Sequence, residues 1–186
     1  MELSNIKAKV DNYNSILETT KKYRSQWPND IKKKLTDTLQ KIIADTNLNA
    51  FIEYKDDIEN LEVINFSLGT EVSGIAEKFP GNKTKRPFIK NNGSLIFQQL
   101  FNGKLMIMIL YPFIEGYGQP KPPKNVEIIR PEELTEGFIL RYVEQFLQEV
   151  IEWEDFDDDM PEKMGMNPIG FGSSHILTEE DIEKMQ

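Results

Sequence analysis

From the N-terminus, apolar residues fall at Leu3, Ile6, Val10, Tyr13 and Leu17, with Thr20 continuing the row. This three-four spacing sets them on one stripe of a helix spanning about 3–23, with Ser4 as a plausible N-cap. Pro28 pushes Trp27 away from helical backbone, so Gln26 to Asp30 is expected to break the helix. A second stripe, Ile31, Leu35, Leu39 and Ile42 with Ile43 beside it, predicts a helix over about 31–45. The two helices are expected to form an antiparallel hairpin with both stripes turned to the core.

From Ala50 the period shortens toward two, and β-branched and aromatic runs alternate with turn formers. Strands are expected at 50–54, 61–68 and 72–78. Asn102-Gly103 between two apolar runs predicts a hairpin over 94–111 with a type I′ turn. Leu105 to Leu110 is apolar at six successive positions, so this strand is expected in mid-sheet with both faces covered. The segments 79–93 and 116–124, rich in Pro and Gly, read as loops, the second a stiff connector around Pro120-Lys121-Pro122-Pro123. A short strand at 125–129 leads to a long helix at about 135–154. Its face of Ile139, Tyr142, Val143, Phe146, Leu147, Val150 and Trp153 is the natural cover for the 105–110 strand. A short final helix capped by Thr178 closes the chain.

The fold class is therefore α+β: an N-terminal helical hairpin (1–48), an antiparallel β-meander (50–130) and a long C-terminal amphipathic helix on the sheet (135–154). These make one domain over 1–160, followed by a loop and short helix over 161–186. A chain of 186 residues, 39% hydrophobic, agrees with one domain. With no Cys, disulfides, thiolate metal sites and Cys nucleophiles are excluded. No apolar run reaches the ~20 residues of a membrane helix, and the N-terminus lacks a signal-peptide stretch, so a cytoplasmic protein without a membrane partner is expected.

Charge is uneven. Residues 1–90 hold 15 Lys and Arg against 13 Asp and Glu, residues 91–186 hold 7 against 18, and the halves carry +2 and −11. An acidic surface repels phosphate, which disfavours nucleic acid despite Lys32-Lys33-Lys34 and Lys83-Lys85-Arg86, and favours a basic protein partner.

Chemistry-bearing motifs are weak. The run Asp155, Asp157, Asp158, Asp159 resembles the start of a calcium loop, but Met160 stands where the loop needs Gly and Met166 where it needs Glu. Gly170 to Ser174 lacks the Gly-Lys-Ser/Thr ending of a P-loop, and His175, the one histidine, cannot build a multi-histidine metal site. No metal, no cofactor and no catalytic residue is assigned, which weighs against an enzyme.

The order of elements resembles the type III secretion chaperone-like fold, including YbjN-type proteins, carried by Gly103 to Ile109 as central strand and Phe138 to Leu147 as closing helix over about 50–155. The chain departs from that pattern at 79–93, where breakers replace a family helix, and in its longer N-terminal helices. The resemblance implies a non-catalytic dimer holding a client on its sheet, or a subunit of a larger assembly. The expected function is thus a protein-interaction module, chaperone-like or an accessory subunit, with a homodimer as one form. Its expected contacts are the sheet face of Leu105, Ile107 and Ile109 and the acidic rim Asp155, Asp157, Asp158 and Asp159. The alternative is a small-ligand protein or enzyme with an apolar pocket lined by Phe101, Met106, Met108, Tyr142 and Phe146.

Overall fold

A computed structural model describes residues 3–78 and 85–156. Its elements are α1 (Ser4–Gln26), a π turn (Trp27–Ile31), α2 (Lys32–Thr46), β1 (Phe51–Lys55), β2 (Val63–Ser67), β3 (Thr70–Lys78), β4 (Lys85–Asn91), β5 (Ser94–Gln99), β6 (Leu105–Leu110), β7 (Phe113–Ile114), β8 (Lys124–Ile129) and α3 (Glu136–Glu154). The α+β class holds, with two helices before a set of antiparallel strands and a long helix packed on the sheet behind them.

The main sheet runs β1-β2-β5-β6-β8 and a smaller one β3-β4-β7, all pairs antiparallel. Hydrogen bonds from Leu68 N–H to Gly93 O (3.1 Å) and from Asn92 N–H to Gly69 O (3.0 Å) carry the ladder from one sheet into the other. The small sheet is thus a bent continuation of β2, β5 and β6. Glycine makes the corner: Gly69 and Gly93 sit at φ +73° and +89°, and a Cβ on Gly93 would lie 2.9 Å from Leu110 O.

Strand register puts Ile64, Phe97 and Ile107 in one row and Phe66, Leu95 and Ile109 in the next, on the face turned to α2 and α3. Helix residues Leu35, Leu39, Ile139, Tyr142 and Phe146 complete this core, with Phe66 edge-on to Phe146 and Phe97 edge-on to Tyr142. Thr135 caps α3, its Oγ1 accepting from Phe138 N–H at 3.3 Å.

Several local expectations are corrected. Pro28 does not open the helix into a loop: the backbone stays helical, Lys32 N–H donating to Trp27 O across a π turn. The wider turn accommodates the missing proline N–H, and burial of Trp27 and Ile31 holds it. The α1 stripe, expected to face the core, does not: Leu3, Ile6, Val10, Tyr13 and Leu17 all stand in solvent. The expected loop at 79–93 contains β4, whose Pro87 lies in a strand of the exposed small sheet. The β5–β6 connection is a three-residue loop. Gly103 N–H bonds Leu100 O, Asn102 keeps negative φ and Gly103 alone is left-handed, which is a type I turn with a glycine bulge and not type I′. Finally, β6 is covered on one face only, since Met106, Met108 and Leu110 stay partly exposed.

Candidate functional site

The expected contact residues Leu105, Ile107 and Ile109 are wholly buried under α2 and α3, so no partner reaches them. A period-two strand exposes the other set, and a run apolar at every position carries no sign of which set faces inward. The expected pocket is not assembled either. Met106 and Met108 lie on the opposite side of the sheet from Tyr142 and Phe146, which are packed into the core. Phe101 stands at the tip of the β5–β6 loop, 70% exposed. Asp155 is exposed just past α3. Asp157, Asp158, Asp159, the Gly170 to His175 segment and the Thr178 helix lie outside the described residues.

Among the described residues no group of His, Cys, Asp or Glu could hold a metal ion, and no helix is long and apolar enough to cross a membrane. The small sheet carries a solvent-open depression bordered by Glu77, Arg86, Phe88 and Glu115, without converging catalytic groups.

What the structure does present is apolar surface. On α1 every residue from Leu3 to Thr19 is exposed, and Ile6, Val10, Tyr13 and Ile16 are each at least half exposed. Scattered apolar surface residues are ordinary, but this stripe is contiguous along one helix. The open face of the main sheet adds Ile96, Met106, Met108 and Ile128 beside Asn65 and Gln98.

The root of α1 is fixed to the domain. Arg24 Nε donates to Phe101 O at 2.8 Å, and Tyr23 Oη donates to Glu132 at 3.3 Å. Trp27 is buried, its indole N–H reaching Glu62 at 3.0 Å, and Lys32 Nζ meets the same oxygen at 2.9 Å. Burial alone would raise the Glu62 carboxyl, but the hydrogen bonds from Lys32 and Trp27 outweigh it and hold the group below its ordinary value. Lys32 is held above its own ordinary value, chiefly by that hydrogen bond. A second polar knot joins β8 to α3: Tyr142 Oη and Arg141 both donate to Glu127 Oε2 at 2.7 Å. At the far end of α3, Lys90 bridges Glu71 and Glu154 beside the Trp153 ring.

Sequence reading missed the exposure of Ile16 and these knots. Ile16 beside Leu17 was visible as a widened stripe. The partners of Glu62 and Glu127 lie 14 to 35 positions away, where no local spacing signals them. No protein-family model, curated protein or solved structure matches this chain.

Proposed function

We propose that the protein is a non-catalytic interaction module, a chaperone-like or accessory subunit that docks a partner polypeptide. The observation that carries this reading is α1, which leaves a fixed base at Tyr23, Arg24 and Trp27 and bears an uncovered apolar stripe. A surface of that kind costs solubility unless something covers it in use. The open sheet face, with Ile96, Met106 and Met108, offers a second contact. The acidic balance of residues 91–186, 7 Lys and Arg against 18 Asp and Glu, supports a protein partner over a phosphate-bearing one. The likeness to chaperone-like proteins is a fold-level analogy and adds only an association. The pocket alternative has no geometric support, because its residues lie on two sides of one sheet.

The test is site-specific photocrosslinking in the source cells, with the crosslinker at Tyr13 and a control at Asp37 on α2. A polypeptide captured from Tyr13 and not from Asp37 is the expected result. Equal capture at both positions, or none at either, removes α1 as the docking surface.

A further inference from the structure

The exposed stripe of α1 obeys a stricter rule than amphipathicity. Leu3, Val10 and Leu17 repeat every seven residues, and so do Ile6, Tyr13 and Thr20. They fill positions a and d of three heptads, the spacing of a helix that supercoils with one or more others. A strictly core-facing helix on a globular domain shows a broader stripe. The flanks are equally ordered. Positions e hold Lys7, Asn14 and Lys21, and positions g hold Lys9, Ile16 and Tyr23, so the seam from Leu3 to Tyr23 is bordered by three lysines and no acid. The two acids of α1, Asp11 and Glu18, sit at position b, Glu18 accepting from the exposed Lys21 at 2.8 Å, which leaves Lys7 and Lys9 as the flank's net positive charge.

The helix itself adds an independent reason to expect a partner. Val10, Asp11, Asn12, Tyr13, Asn14, Ser15 and Ile16 are seven consecutive residues from the weaker half of the helix-propensity scale. All seven are exposed, so packing against the described residues does not compensate. Helical stability in proteins comes mostly from tertiary burial of the apolar face, and no described residue supplies that burial here.

We infer that α1 is one strand of a coiled coil that it forms with an amphipathic helix of a different polypeptide, one with Glu or Asp at its flanking positions. This rests on α1 being the docking surface and names the chemistry of what docks there. Charge complementarity selects the occupant. Pairing α1 with a second copy would border one seam with six lysines and no acid, and an antiparallel pair would set Lys7 against Lys21. An acidic helix turns each of those lysines into an attractive contact.

The experiment is fluorescence anisotropy of the full chain with two synthetic three-heptad peptides of identical Ile/Leu seam. One carries Glu and the other Lys at every e and g position. The Glu peptide is expected to bind at least about tenfold more tightly, with a preference that shrinks as salt is raised. Val10→Asp should abolish that binding without moving the melting temperature, and Lys7→Glu, Lys9→Glu and Lys21→Glu combined should reverse the preference. On binding, amide exchange across Val10 to Ile16 should slow. Equal affinity for both peptides overturns the inference. So does binding that survives Val10→Asp, or light scattering that finds the chain alone to be a dimer dissociated by Val10→Asp. Crosslinking from Tyr13 without a charge preference among the peptides would fail the partner's chemistry and leave the docking surface standing.

Discussion

Gly103 shows how one residue ties two distant segments. It closes the β5–β6 loop at φ +76°, and a Cβ there would lie 2.6 Å from both Arg24 N and Tyr23 Cβ, in the root of α1. Gly74 has a similar φ of +80° with nothing within 4 Å of its would-be Cβ. An L-residue pays roughly 1–2 kcal/mol for left-handed backbone, so Gly74→Ala should cost about 1 kcal/mol. Gly103→Ala adds a collision with helix backbone that cannot rotate away, and its cost should reach about 3 kcal/mol. Urea unfolding of both variants checks this; equal losses would mean that the approach of Gly103 to α1 is not tight. Asn-Gly announced a turn at this place, whereas the helix pressed against it is 77 positions away in sequence and left no local mark. Tyr142 makes the same point with a titratable group. Burial, aided by its hydrogen bond to Glu127, pushes its hydroxyl up to about 12. The folded state thus prefers the neutral phenol. That contribution is complete below the ordinary tyrosine pKa of about 10 and is lost as pH climbs toward 12. Tyr142→Phe should cost about 1 kcal/mol at neutral pH and should flatten the alkaline fall in melting temperature relative to the parent chain. An unchanged alkaline slope would show that other groups, such as Tyr111, also pushed up to about 12 by burial and Glu149, set it.

Elements with a single apolar face were legible, and those shaped by contacts at long range were not. The period of Ile31, Leu35 and Leu39 and that of Ile139, Tyr142, Val143 and Phe146 located α2 and α3 to within a residue or two. Those periods also named the buried faces correctly. β4 was hidden because Pro87 and its charged neighbours look like a loop, yet a strand in an exposed sheet needs no buried face of its own. The α1–α2 junction was misjudged for a related reason: Pro28 disfavours regular helix, but Trp27 anchored to Glu62 holds the turn in place. This anchor has a pH signature. With Glu62 held below its ordinary value of about 4.5, its stabilising effect is full above that pH and drains away as pH falls through the folded value. Glu62→Gln should therefore cost about 1–2 kcal/mol at neutral pH, as Lys32 and Trp27 lose a charged acceptor. The gap to the parent chain should close in acid, as read by melting temperature from pH 7 down to about 3. A gap that stays constant through acid would place the value of Glu62 in packing and not in its charge.

At the scale of the molecule, residues split into a set that holds the fold and a set the fold merely carries. The core sits between one face of the main sheet and α2 and α3, and α1 contributes to it only near its root, through Tyr23 and the adjoining Trp27. Composition announced that such a core would exist, but six successive apolar positions in β6 pointed to two covered faces, and only one is covered. Which face was inside depended on where α2 and α3 land, a decision made by the whole chain and readable from no single segment. The same division predicts two different responses to mutation. Ile107→Ala opens a cavity in a site with no exposure and should lose about 2–5 kcal/mol of stability. Ile6→Ser and Val10→Ser remove apolar atoms already in water, so each should leave the unfolding midpoint within about 0.5 kcal/mol of the parent. If the α1 variants unfold as early as Ile107→Ala, the stripe is covered within the isolated chain, and its role is structural. If they unfold with the parent yet lose the crosslink from Tyr13, α1 is a surface kept for another molecule, because folding alone would not require its apolar pattern.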